Sequence, residues 1–304
     1  MSKFTLKRWA ITALLGVTMF GSAHTAMAQG NATVAPTTPL IGNEGLTATA
    51  WVQSSAEAKI AARQAYRMAT RQLDVALKDK NWSAALEQGP SFKKLPPAII
   101  LDLDETVLDN SPLFARMARD NVTYTDEGWL KWTAEGNATA IEGAVKFLNY
   151  ANNKGVKIYY ISNRASEEEA VTRANLQKLG CPIQGPEDHV LLKGEQNWTS
   201  NKSPRRSFVA QNHRILLLVG DDLNDFVSAR SLSIAQRREL FDKYADNWGE
   251  RWVLISNPLY GSWEDSIYGF KSDLSPQEML RLKYGVLQYR EPTAPIANTT
   301  PANR

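Results

Sequence analysis

Apolar and polar positions along this chain follow two periods in turn. Ala58, Ala61, Ala65, Met68, Leu73 and Leu77 recur near helical spacing, which predicts a long amphipathic helix over residues 54–79. Pro97-Ala98-Ile99-Ile100-Leu101-Asp102 is a short apolar run ending in acid, the pattern of a strand buried on both faces of a parallel sheet. Similar runs follow at 156–161, 214–219 and 252–255. Residues 141–153 read as a helix. Glu167 to Leu179 reads as another, capped ahead by Ser166 and closed by Gly180. Buried strands separated by helices predict an α/β fold with a doubly wound parallel sheet. In such sheets a ligand sits at the carboxyl ends of the strands.

The two ends of the chain break this pattern. Lys3, Lys7 and Arg8 precede a mostly apolar, uncharged stretch from Trp9 to Ala23, and Ala26-Met27-Ala28 offers small residues where a signal peptidase cuts. Residues 1–28 are therefore expected to be a signal peptide cleaved after Ala28, with the mature protein periplasmic or secreted. An uncleaved anchor is the competing reading, but an apolar stretch of about 15 residues is short for a span of roughly 20. No cysteine lies near the cleavage point to take a lipid, so no stable membrane anchor is expected. Residues 29–46 and 291–304, rich in Pro, Thr and Asn, read as a flexible leader and tail.

Charge changes its meaning once that segment is set aside. The whole chain has 35 basic and 32 acidic residues, and its first 28 residues hold three basic and no acidic ones. The mature chain is thus formally neutral, and the apparent pI of 8.8 belongs largely to the expected signal peptide. That removes the electrostatic case for a nucleic-acid polymer as partner. Cys181 is the single cysteine, so an internal disulfide is excluded. It reads as a half-buried apolar residue after a helix. Three histidines, one of them in the expected signal peptide, leave little for a zinc site, so any metal should be held by oxygen ligands.

Polar residues gather where the apolar runs stop. The first run enters Asp102-Leu103-Asp104-Glu105-Thr106, and the second Ser162-Asn163-Arg164. Lys202 follows in a loop. The third run enters Gly220-Asp221-Asp222-Leu223-Asn224-Asp225. All four clusters can converge on one crevice, and their chemistry fits phosphoryl transfer. A phosphate ester repels a carboxylate nucleophile, and a divalent cation between them removes that repulsion. Hydroxyls, backbone N–H groups and one lysine can hold the oxygens of the transferring group. A second carboxylate can protonate the leaving oxygen and later activate water. The chain is expected to leave the strand after Asp102, with one acid and one backbone carbonyl facing the metal.

These four elements resemble the motifs of the haloacid-dehalogenase (HAD) superfamily, and the second Asp of the first motif marks its phosphatases. Ile100 to Asn110 is similar to the signature of bacterial class C nonspecific acid phosphatases, and Val219 to Phe226 to their second signature. Trp51 to Glu57 and Asn257 to Glu264 also look like that family, so the resemblance spans roughly residues 47–290. Glu105 stands where class B enzymes carry a further Asp.

The resemblance implies a HAD-like sheet with a small, mostly helical cap inserted at about 111–140. It implies Asp102 as nucleophile and Asp104 as general acid/base. Asp102, the Asp104 carbonyl and Asp221 become ligands of Mg2+. Thr106, Ser162, Asn163 and Lys202 become phosphate-holding residues, with Asp222 and Asp225 as supporting acids. Which of those two supports the metal is open, and for Arg164 and Arg205 a surface or capping charge weighs evenly against a role in the site. The expected substrates are small phosphomonoesters, commonly nucleoside 5'-monophosphates. Tyr260, Trp263 and Trp132, with Trp129, are candidates to stack on a base. Homodimer formation is left open. A surface binding or uptake protein with secondary phosphatase activity is the alternative function. A dinucleotide-binding oxidoreductase is excluded, because no G-x-G-x-x-G follows the first strand.

Overall fold

The structure is a computed structural model describing residues 44–183, 185 and 187–288. The expected signal peptide, the cleavage point, nearly all of the leader and the tail from residue 291 lie outside the described residues.

Five parallel strands form the sheet, in the order β5-β4-β1-β6-β7. They are β1 (Pro97–Leu101), β4 (Lys157–Ala165), β5 (Val190–Lys193), β6 (Arg214–Gly220) and β7 (Trp252–Leu254). Their near-continuous apolar sequence has a direct cause, since successive side chains point to opposite faces and both faces are covered. In β1, Ile99 and Leu101 join one core and Ala98 and Ile100 the other. The first core is closed by α2 (Ala56–Lys78), α5 (Ala144–Asn153) and α6 (Glu169–Lys178), which supply Tyr66, Leu73, Phe147 and Leu176. The second is closed by α7 (Ser203–Asn212), which supplies Val209 and Ala210, with Trp252 from β7 and Leu240 from α8 (Ile234–Lys243) packed in.

The predicted long helix is α2, started by Ser55, whose side chain accepts from the Ala58 N–H at 3.0 Å. Ahead of it lies α1 (Leu46–Ser54), which the sequence reading did not anticipate. The predicted Ser166 cap is not formed. A short 3-10 turn at Ser166–Glu168 precedes α6, and the Glu168 carboxylate accepts from the Ala165 N–H at 2.7 Å. Gly180 does close α6, at φ +74.

Between β1 and α5 the chain leaves the sheet. A two-residue strand, β2 (Leu108–Asp109), pairs antiparallel with β3 (Thr139–Ala140). They bracket two helices, α3 (Ser111–Asp120) and α4 (Asp126–Ala134). This excursion sits over the carboxyl end of β1. Two short helices come last among the described residues, α9 (Ser262–Ile267) and α10 (Pro276–Gly285). Among the described residues no helix is long and apolar enough to cross a membrane.

Candidate active site

β1 ends at Leu101, and Asp102 is the first residue beyond it. The chain then turns tightly. The Leu103 carbonyl accepts from the N–H groups of Val107 and Leu108, both at 2.8 Å, and Glu105 takes a left-handed conformation at φ 57. This turn separates the two acids of the first motif. Asp102 stays over the sheet and Asp104 reaches toward β4.

Asp102, Asp221 and Asp225 present carboxylate oxygens within 4.8 Å of one another. Asp221 follows β6, the neighbour of β1, so adjacent parallel strands deliver both acids to one point. Asp225 arrives from the 3-10 turn Leu223–Asp225. That turn fits only because residue 220 is glycine: a Cβ there would lie 2.2 Å from Asp225 Oδ2. Lys202, at the start of α7, bonds both Asp102 and Asp225, the latter at 2.6 Å. Thr106 Oγ1 lies 3.3 Å from Asp221 Oδ1 and 3.5 Å from Asp102 Oδ2.

Burial and crowding set the charge state. Burial pushes the Asp221 carboxyl well above its ordinary range, helped by the like charges of Asp102 and Asp225. Burial also raises Asp102, against the pull of Lys202. Lys202 itself is held firmly protonated, because Asp102 and Asp225 outweigh its own burial. Asp221 accepts from neutral donors, Asn257 Nδ2 at 2.8 Å and the Thr106 hydroxyl. Three close carboxylates with one ammonium leave negative charge in excess, and every donor is a hard oxygen. That set fits a hard divalent cation and not a soft metal.

Asp104 has different company. Arg164 Nη2 donates to its Oδ1 at 2.7 Å, Asn110 Nδ2 donates to the same oxygen at 2.9 Å, and Ser162 Oγ lies 3.2 Å from Oδ2. Arg164 and Arg205 are therefore neither surface nor capping charges. Both are buried, at 3% and 0% exposure. Arg205 bonds the Ser162 carbonyl and donates to Asn163 Oδ1 at 2.7 Å. Asn163 also donates to the Ser200 carbonyl at 3.2 Å, so its side chain ties the β4 end to the Lys202 loop and is not turned to the acids. Asp222 likewise turns away, accepting from the Ser262 N–H at 2.7 Å and the Asn224 N–H at 2.9 Å. Of the two supporting acids, Asp225 is the one beside Asp102 and Asp221.

The aromatic candidates divide. Trp132 is not a stacking surface: it is 4% exposed and donates its indole N–H to Asn110 Oδ1 at 2.7 Å. Trp129 packs partly buried, 5.8 Å from the Arg164 guanidinium. Trp263 is 39% exposed. Tyr260 lies parallel to Phe114 of α3, with centroids 5.1 Å apart, and its hydroxyl donates to Glu105. One face of that ring is therefore already covered by protein. Sequence reasoning missed Asn110, although it had the residue inside the first signature, and Tyr66, whose hydroxyl donates to the Thr106 carbonyl at 2.6 Å.

Comparison with known proteins agrees with this geometry. The family described as "HAD superfamily, subfamily IIIB (Acid phosphatase)" matches residues 17–263. The chain belongs to this family. Among solved structures it is similar to the class C acid phosphatase from Bacillus anthracis, with 34% identity over 81% of this chain and 98% of that one, and a TM-score of 0.73. The tungstate-bound form of that enzyme matches at 32% identity with a TM-score of 0.72, over the same shares of the two chains. A curated relative, the Stem 28 kDa glycoprotein of Glycine max, is 30% identical over 138 residues, 42% of this chain and 52% of that protein. The chain thus spans about half the length of the curated relatives it matches.

Proposed function

We propose that this protein is a magnesium-dependent acid phosphatase that hydrolyses small phosphomonoesters through a phosphorylated Asp102. The observation that carries the proposal is the convergence of Asp102, Asp221 and Asp225 within 4.8 Å, bridged by Lys202, at the carboxyl ends of β1 and β6. Asp102, Asp221 and the Asp104 carbonyl would hold the cation, with Asp225 beside them. When bound, Mg2+ would screen the negative charge of the substrate phosphate from the attacking carboxylate.

The chain's own groups do the rest. A carboxylate oxygen of Asp102 attacks phosphorus and the ester P–O bond breaks, while a proton passes from the Asp104 carboxyl to the leaving oxygen. Asp104, now ionised, takes a proton from water as the water oxygen attacks the same phosphorus. Phosphate leaves and the Asp102 carboxylate is regenerated. Lys202, Thr106 and Ser162 line the position of the transferring group and favour its developing charge. The tungstate held by the Bacillus anthracis relative is a tetrahedral oxyanion, as phosphate is.

Nucleoside 5'-monophosphates are the substrates we favour, with the exposed ring of Trp263 and the face of Tyr260 opposite Phe114 as the candidate contacts for the base. Export after cleavage at Ala28 rests on the basic, then apolar, then small-residue pattern of residues 1–28. The test is turnover of 4-nitrophenyl phosphate, with and without a chelator, by the purified chain and by Asp102→Asn. Chelation should silence the protein and Mg2+ should restore it. Asp102→Asn should keep less than about one per cent of the activity, because an amide is a poor nucleophile. Activity that survives both treatments would overturn the proposal. A panel of nucleotides, sugar phosphates and aryl phosphates then tests the nucleotide preference.

A further inference from the structure

Asn110 is fully buried at the start of α3, and its amide is held at both ends. Its Oδ1 accepts from Trp132 Nε1 at 2.7 Å. Its Nδ2 donates to Asp104 Oδ1 at 2.9 Å and lies 3.4 Å from Glu105 Oε2. The amide orientation is dictated by its neighbours, because an indole N–H only donates and an ionised carboxylate only accepts. Its backbone N–H also donates to Glu105 Oε1, at 2.9 Å. Residue 110 is therefore fixed against the motif turn, and the cap indole fixes which way its side chain faces.

The two oxygens of Asp104 are not equivalent. Oδ1 receives Asn110 at 2.9 Å and Arg164 Nη2 at 2.7 Å, with Arg164 Nε at 3.1 Å. Oδ2 has longer contacts, 3.2 Å to both Ser162 Oγ and Arg164 Nε. An oxygen that already accepts strong N–H bonds is a poor place for a proton. Oδ2 is thus the oxygen available to carry one.

We infer that Asn110 is a positioning residue for proton transfer: it locks Oδ1 and leaves Oδ2 facing the leaving group, and Trp132 of the cap sets Asn110 in turn. This inference rests on the reading of Asp104 as the general acid. It gives the cap a part in the chemistry, since displacing α4 withdraws the indole and frees the amide to turn. Glu105 does not take over the role of Trp132, because its Oε1 accepts from the Asn110 N–H and its Oε2 from the Tyr260 hydroxyl.

Leaving-group dependence tests this. 4-Nitrophenolate departs without a proton, whereas the alkoxide of an alkyl phosphate does not. The measured quantity is kcat/KM, which reports steps up to leaving-group departure. Trp132→Phe keeps the ring and deletes the N–H. It should lower kcat/KM for an alkyl phosphate by at least about tenfold and for 4-nitrophenyl phosphate by less than about threefold, as lost general acid catalysis demands. Asn110→Ala should show the same pattern, and adding Trp132→Phe to it should change nothing further. Equal losses on both substrates in Trp132→Phe, or additive effects in the double variant, would overturn the inference. Asp104→Asn is the control. A leaving-group-dependent loss there, with none in Trp132→Phe, would sink only the role of Asn110. Equal losses in Asp104→Asn would show that the reading of Asp104 itself is at fault.

Discussion

Lys202 Nζ stands 2.6 Å from Asp225 Oδ1 while it also bonds Asp102, and all three side chains are buried. The lysine comes from the start of α7 and the two acids from the ends of different strand-loop units, so this one cation joins three segments distant in sequence. Removing a partner from a buried ion pair leaves charge without compensation, at a cost of about 3–5 kcal/mol. Lys202→Met should therefore lower the free energy of unfolding by an amount near that range, read by urea denaturation. It should also reduce kcat/KM at least about 100-fold, the usual effect of deleting a donor aimed at developing charge. A variant as stable as the parent would mean that the pair is neutralised in the folded state.

A second prediction lies at the amino ends of the strands, opposite the carboxyl ends that carry these acids. His213 sits 5% exposed between α7 and β6, its ring edge-on to Tyr159 at 5.2 Å. Burial holds its pKa below the ordinary value of 6.5 against the pull of Glu187, and the charges of Lys157 and His189 add smaller effects in the same sense as burial. Its Nδ1 has no hydrogen-bond partner among the described residues. As pH falls through 6.5 the unfolded chain takes up a proton that the folded one resists, so stability falls with falling pH. The contribution reaches at most about 1.4 kcal/mol per pH unit. His213→Gln should lose less stability than the parent between pH 7 and pH 5. Parallel melting-temperature profiles for the two proteins would contradict this account.

Much of this architecture was legible because the chemistry is written locally. Four apolar runs, each ending in polar residues, were enough to place four of the five strands and to bring Asp102, Ser162 and Asp221 to one edge. β5 was missed because Val190–Lys193 has only three apolar residues, and its partner Tyr160 supplies the pairing that makes it a strand. The partners of Asp104 were out of reach for another reason. Arg164 follows Ser162 by two residues on β4, but nothing local says that its guanidinium turns inward to Asp104 and not out to solvent. That outcome depends on the motif turn swinging Asp104 toward β4. Trp132 illustrates the converse failure, since an aromatic ring in a cap looks the same in sequence whether it faces a ligand or, as here, holds an asparagine.

Cys181 offers a simple check on packing. It lies 5% exposed just after α6, and burial pushes its thiol up to about 11. Only the thiolate attacks an aromatic disulfide reagent. At pH 8 the folded protein should therefore release almost no coloured thiol over minutes, and the denatured protein should release one equivalent. Rapid reaction of the native chain would show that the region between α6 and β5 opens far more readily than its burial implies.

Tyr260 is where the nucleotide reading is most exposed to failure. Its ring has two duties that can be separated. The hydroxyl donates to Glu105, whose carboxyl burial raises to about 8, and one face lies on Phe114. Tyr260→Phe deletes the first duty and keeps the ring. It leaves the Asn110 bonds as the support of Glu105, so it should lower kcat/KM by a similar factor for every ester, whatever the leaving group. Tyr260→Ala deletes both. If the face of the ring opposite Phe114 receives a base, the second variant should cost nucleoside 5'-monophosphates a further 1–3 kcal/mol or so of transition-state stabilisation relative to the first. A small aliphatic phosphate has no ring to stack and should lose little more in Tyr260→Ala than in Tyr260→Phe. The comparison of two variants on two substrates removes general damage, because a disordered loop would lower both. Equal further losses on both esters would make Tyr260 a structural prop between Phe114 and Glu105, and the preference for nucleotides would then need another surface, with Trp263 the next to test.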